Sequence, residues 1–116
     1  MNNLNDFIQE LYNNFNDRKS ELVISHLTAD VKWANGMEGG HVYGHSGVRE
    51  YWTRQWKEID PFVEPLAINL TKDGKIEVEV HQVAMDKDGK LLFDGNVKHI
   101  YSFQNELIKG MEIDDN

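Results

Sequence analysis

The stretch Ile76-Glu77-Val78-Glu79-Val80-His81-Gln82-Val83-Ala84-Met85 decides the fold. Apolar and polar residues alternate along it, and successive side chains of a strand point to opposite faces of a sheet. Ile76, Val78, Val80, Gln82 and Ala84 therefore share one face, while Glu77, Glu79 and His81 take the other. A strand with one covered and one solvated face belongs to an antiparallel sheet. Asp73-Gly74 and Asp88-Gly89 bracket the run as hairpin turns, because glycine reaches positive φ without steric cost.

Working outward, further extended runs cover residues 62–71, 91–103 and 107–113, with Asn105-Glu106 as a weaker turn, so a four-stranded meander is expected. In the third run Leu91, Phe93, Val97, His99, Tyr101 and Phe103 share a face, opposite Asp94, Asn96, Lys98 and Ser102. A short turn at Asp88-Gly89 brings this apolar set beside that of the second run. Leu66, Ile68 and Leu70 join it if the first hairpin has a three-residue loop ending at Gly74. Gly95 is a place where a bulge could flip parity within the strand. For the last strand two registers are open. With Met111 and Ile113 inward, which the apolar content favours, Glu112 points outward toward Lys98; with a slip of one, Glu112 sits opposite His99.

Before Pro61 the pattern changes to helical. Leu4, Phe7, Ile8, Leu11 and Phe15 recur at three- and four-residue steps, the signature of an amphipathic helix, with Asn3 or Asn5 as N-cap. A shorter helix over 20–27 follows, ended by Ala29-Asp30 before an extended Val31-Lys32-Trp33 piece. Gly36, Gly39 and Gly40 mark a loop that forms the rim of a pocket with Met37, and His41-Val42-Tyr43 reads as a short strand broken by Gly44. A third helix over 47–59, capped by Ser46, turns inward Val48, Tyr51 or Trp52, Gln55 or Trp56, and Ile59; Asp60-Pro61 stops it. Helices first and a meander after mean α+β.

The 116 residues make one domain spanning 1–116, and an apolar fraction of 40% is that of a globular chain. Twelve basic against twenty acidic residues leave a net charge of -8, which repels a phosphate backbone, so no nucleic acid partner is expected. The chain has no cysteine, which excludes disulfides, thiolate catalysis and cysteine-ligated metal. Residues 1–6 have neither the basic nor the apolar region of a secretory signal, and no stretch reaches the length of a membrane span, so no membrane partner and a cytoplasmic location are expected.

The segments Leu27-Thr28-Ala29-Asp30-Val31-Lys32-Trp33 and His41-Val42-Tyr43-Gly44-His45-Ser46-Gly47-Val48-Arg49-Glu50-Tyr51-Trp52 resemble SnoaL-like and ketosteroid-isomerase-like proteins of the nuclear transport factor two-like superfamily. The order and spacing of elements over nearly the whole chain carry that resemblance. It implies a cystatin-like α+β roll: a cone-shaped curved antiparallel sheet with three helices of the N-terminal half enclosing a pocket. It also implies a homodimer packed through the outer sheet face. The catalytic pattern of ketosteroid isomerase is not kept. Its aspartate base matches Trp33, its first-helix tyrosine falls nearer Leu11 with Tyr12 one place off, and its second oxyanion donor matches His99.

The informative residues are polar ones on the apolar inner face: Gln82, His99 and Tyr101. Each costs about 1–3 kcal/mol if buried without a partner, so each needs protein, water or ligand. His99, with an ordinary pKa of about 6.5, suits proton transfer; it is the candidate catalytic acid or base, against the plainer role of a hydrogen-bonded core histidine. Tyr101 is its catalytic companion as a donor to a substrate oxygen, where a packing tyrosine is the plainer alternative. Gln82 orients a ligand or bonds a neighbouring strand. Trp33, Trp52, Phe93, Val97 and Met111 line the pocket, with Trp56 turned to the dimer or to solvent. His41 and His45 are split by Gly44, so no metal pair is expected, and no cofactor. The function expected is binding of a hydrophobic small molecule of carbonyl type, with cofactor-free isomerase, cyclase or hydrolase chemistry by general acid–base catalysis. A non-catalytic ligand-binding protein or dimeric scaffold is the rival.

Overall fold

Six strands form one sheet in the order β2-β1-β6-β5-β4-β3, described for residues 4–114 by a computed structural model. The strands are β1 (Leu27–Ala34), β2 (His41–Tyr43), β3 (Ile59–Leu70), β4 (Ile76–Asp86), β5 (Leu91–Gln104) and β6 (Leu107–Asp114). The helices are α1 (Leu4–Asn16), α2 (Ser20–Ile24) and α3 (Gly44–Glu58), all in the N-terminal half. The expected meander is β3-β4-β5-β6; the sheet is antiparallel except where β1 joins β6 in parallel. That junction pairs Leu27 with Ile108 and Trp33 with Met111, far apart in sequence, so no turn motif announces it.

The parity of β4 holds along its length: Ile76, Val78, Val80 and Ala84 are buried, and Glu77, Glu79 and His81 are only partly covered. Val78 and Val80 sit between Ile68 and Pro65 of β3 on one side and His99 and Val97 of β5 on the other. Gly74 and Gly89 make the two turns with φ of 84° and 85°, and Asn105 and Glu106 both take positive φ in the third. The helices close the inner side with Ile8, Leu11 and Tyr12 from α1, Val23 and Ile24 from α2, and Val48, Tyr51, Trp52 and Gln55 from α3. A fully buried side chain of the size of Ile8 or Val78 contributes about 1.5–3 kcal/mol, so this face supplies most of the driving force for folding.

Among the described residues register shifts between Leu27 and Lys32 in the parallel β1–β6 pair and at one bulge in each of the three antiparallel pairs of the meander, and such bulges bend strands. Between Pro65 and Ala67 the extra residue is Leu66, which is half-exposed instead of joining the inner set; Leu70, at the hairpin end, is exposed as well, and Ile68 alone of the three packs on the core. Between Ala84↔Phe93 and Met85↔Leu91 the extra residue is Leu92. Leu91 consequently lies beside Met85 and leaves the inner face. Gly95 pairs regularly with Gln82, so the bulge falls three residues before it. The third lies at Lys109 of β6, between the pairs Ser102↔Gly110 and Phe103↔Ile108.

Other boundaries also move. Asn5 lies inside α1 and cannot cap it, and Asn3 falls outside the described residues. The second helix ends at Ile24, and Ala29-Asp30 belongs to β1. The third helix begins at Gly44, whose φ of 74° makes the corner, so Tyr43 is the N-cap and Ser46 sits within the first turn. It ends at Glu58, and Ile59 opens β3 without a loop. Met111 is buried, Ile113 packs on the core, and Glu112 faces outward, where it bonds His41 at 2.8 Å instead of meeting Lys98. Lys98 reaches Glu77 at 3.6 Å.

Strand β3 is the long edge of the sheet. Asn16 clamps it, donating through Nδ2 to Val63 O at 2.8 Å and accepting from Val63 N at 3.0 Å. Arg18 donates to Pro61 O at 3.1 Å.

Candidate functional site

Between the concave side of the sheet and the helices lies a cavity of about 420 Å³, within the range of small-molecule sites. Several aromatic rings stand in its walls. Trp33 of β1 meets Trp52 of α3 edge-to-face at 5.5 Å between ring centroids, and Tyr101 of β5 stands against Trp33 at 6.2 Å. Phe15 closes on Trp52 at 5.5 Å. Val97, Phe93 and Met111 also line the space, with Phe93 43% exposed at its mouth. Trp56 is partly buried against Phe15 and Trp52, with the Arg18 guanidinium 5.2 Å from its ring.

The polar groups gather at one place on this wall. Tyr12 reaches across from α1 and its hydroxyl lies 2.6 Å from His99 Nδ1 and 2.8 Å from the Tyr101 hydroxyl. The Tyr12 and His99 rings stack at 5.7 Å. His99 and Tyr101 are two residues apart on β5 and therefore face the same way, held between β4 and β6 by the pairs Val78↔His99↔Ile113 and Ile76↔Tyr101↔Met111. Burial pulls the His99 pKa down to about 4, so the imidazole is neutral at neutral pH. Burial likewise raises both tyrosines above the ordinary phenol value; the paired hydroxyl raises Tyr12 further and offsets part of the rise at Tyr101.

A neutral imidazole has one donor and one acceptor nitrogen. Nδ1 is taken by Tyr12. Nε2 has no hydrogen-bond partner among the described residues, yet it is not among the sealed polar atoms without a partner, which are Thr28 Oγ1, Gln55 Oε1 and Trp56 Nε1. It opens on the cavity. Gln82 also lines the cavity, half-buried opposite Gly95, with no side-chain hydrogen bond among the described residues; the inter-strand bond is not formed. No carboxylate, lysine or arginine is among the described residues lining the space.

A second polar spot was not singled out from the sequence. The Tyr51 hydroxyl faces the backbone amides of Gly36 and Met37 and receives Gln55 Nε2 at 3.2 Å. The rim loop beside it is built by Asn35, whose Oδ1 accepts from the amides of Met37 and Glu38. Tyr12 is the other omission. Its signal was present: it follows Ile8 by four residues, on the core-facing stripe of α1. His41 and His45 diverge, His41 to Glu112 and His45 Nε2 donating to Leu27 O at 2.9 Å.

No protein-family model and no curated protein matches the sequence. Solved structures do match in shape. An NTF2-like protein of unknown function from Burkholderia pseudomallei aligns over 100% of this chain and 92% of its own, with a TM-score of 0.84 and 22% identity. TerC, co-crystallised with polyporic acid, aligns over 97% of this chain and 90% of its own at TM-score 0.81 and 20% identity. SalBIII, an epoxide hydrolase/cyclase-like enzyme of pyran ring formation in salinomycin, aligns over 97% and 89% at TM-score 0.79 and 14% identity. The chain has the NTF2-like α+β roll fold, the one implied by its resemblance to SnoaL-like and ketosteroid-isomerase-like proteins.

Proposed function

We propose that the cavity binds an uncharged, largely aromatic small molecule that carries a carbonyl or hydroxyl oxygen. The observation that carries this reading is the His99–Tyr12–Tyr101 chain, which presents an imidazole nitrogen without a partner among the described residues to a largely apolar space. An ion would leave water for a lining without a countercharge, so a neutral ligand is favoured. The aromatic walls offer stacking area, and Gln82 gives a further polar contact. Neighbours of similar shape include a protein crystallised with polyporic acid and a cyclase-like enzyme, which supports a ring-bearing ligand, and the hydrogen-bonded His99 and Tyr101 offer it general acid–base chemistry. Tryptophan quenching and thermal shift with fused-ring ketones and phenols test the reading. Saturable quenching of Trp33 and Trp52 is expected, lost when Val97→Trp fills the cavity; equal responses from wild type and Val97→Trp would remove it.

Pairing of two chains through the outer sheet face is part of the same proposal. Phe62, Val83, Met85 and Leu91 are contiguous there by strand register, and Phe62, Met85 and Leu91 are exposed. Sedimentation equilibrium is expected to give a dimer that Phe62→Lys weakens; a monomeric wild type would exclude it.

A further inference from the structure

We propose that Gln55 of α3 is a specificity-determining residue of the cavity, accepting a hydrogen bond from a ring hydroxyl of the ligand. The inference rests on the reading of the cavity as a small-molecule site and narrows the class of molecule it takes. Among the described residues, three buried side-chain atoms have no hydrogen-bond partner: Thr28 Oγ1, Trp56 Nε1 and Gln55 Oε1. Of the residues that carry them, Gln55 alone lines the cavity. It is 9% exposed, and its carbonyl oxygen is shielded from solvent. A buried carbonyl oxygen without a donor bears the full cost of its desolvation. The protein already carries that cost when empty, so an arriving hydroxyl gains a bond without stripping water from its acceptor.

The other end of the amide is committed. Gln55 Nε2 donates to the Tyr51 hydroxyl at 3.2 Å, one turn earlier on the same helix. Tyr51 is buried as well, and its hydroxyl faces the backbone of Gly36 and Met37 in the rim loop. The helix thus holds the donor end of the carboxamide and leaves the acceptor end over. The terminal torsion of a glutamine is broad, so a small turn brings Oε1 to the cavity surface. Trp52, from the same helix and also in the cavity wall, gives the ring that bears the hydroxyl a face to lie against. Gln82 offers a second carboxamide from the sheet side, but it is only half-buried. Water satisfies such a group whenever a ligand does not, so it discriminates weakly. The dry acceptor on α3 discriminates more strongly, because a ligand whose hydroxyl is missing or methylated leaves it unpaired. The ligand class that follows is a flat ring compound with one oxygen for His99 and a separate hydroxyl for Gln55.

The test measures, by tryptophan quenching, the Kd of 2-tetralone, of its isomers hydroxylated on the aromatic ring, and of their methyl ethers. Wild type is compared with Gln55→Leu and with Gln55→Met, which keeps the length of the side chain, each checked for fold by circular dichroism. In wild type at least one hydroxylated isomer is expected to bind on the order of 10-fold more tightly than both 2-tetralone and its own methyl ether. In the two variants that isomer is expected to fall to the affinity of its ether, while 2-tetralone still binds. A preference for the hydroxyl that survives in both variants would overturn the role of Gln55 and leave the cavity reading standing. Hydroxyl and methoxy compounds that bind wild type alike would do the same, since an amide turned over to present Nε2 accepts either oxygen. If none of the compounds binds wild type, the cavity reading falls and the inference with it.

Discussion

His99 and His81 lie on neighbouring strands of one sheet and have opposite surroundings. His99 faces inward, 8% exposed, with a tyrosine hydroxyl on Nδ1. His81 faces outward between carboxylates, with Nε2 2.7 Å from Asp94 and Nδ1 4.0 Å from Glu64. Strand parity alone separates them, since the β4–β5 register sets Val78 against His99 and His81 against Asn96. The same side chain is thereby a neutral hydrogen-bonding group on one side and a member of a solvated charge cluster on the other.

The comparison breaks most readily at the inner wall. Trp52, 1% exposed, holds Trp33 and Phe15 in place, so Trp52→Ala is expected to cost about 3–5 kcal/mol in urea unfolding. A loss within surface range would mean that the aromatic wall is loosely packed.

Acid sensitivity at His99 comes next. An unfolded histidine takes up its proton near pH 6.5, by its ordinary value of about 6.5, whereas folded His99 does so at about 4. Between these values the unfolded state binds the extra proton, so stability falls with falling pH. The contribution of His99 is complete above the higher value and gone below the lower one, about 3 kcal/mol in all. His99→Gln is expected to flatten this part of the pH–stability curve. Parallel curves for wild type and His99→Gln would contradict the inner assignment.

Tyr12→Phe comes third. It leaves Nδ1 without its 2.6 Å partner, and a loss of about 1–2 kcal/mol is expected in the same titration at neutral pH. The smallest effect is on the outer side: with both partners largely solvated, His81→Ala is expected to change stability by no more than about 0.5 kcal/mol. A larger loss would show that the outer cluster is enclosed, as it would be between paired sheets.

Much of the fold was legible because it is written locally. The alternation of β4, the glycine turns and the stripe of α1 are short-range patterns, and the structure keeps them. Leu66 and Leu91 misled because a bulge adds a residue without changing composition. The inward placing of His99 and Tyr101 followed from parity, but their partner did not. Tyr12 lies 87 residues from His99, and no local signal ties them together. Family spacing pointed instead to Leu11, one position away on the helix. Glu112 found His41 because β2, carrying that histidine, folds back onto β1 beside β6.

The clamp on β3 bears on how such chains behave when crowded. A bare sheet edge templates the addition of foreign strands. Here Pro61 and Pro65 have no amide hydrogen to offer, Arg18 holds the Pro61 carbonyl, and the Asn16 amide sits on Val63 as a one-residue imitation of a neighbouring strand. An incoming segment finds the middle of that edge already occupied, so growth into fibrils is refused there by two side chains from the end of the first helix and the loop after it.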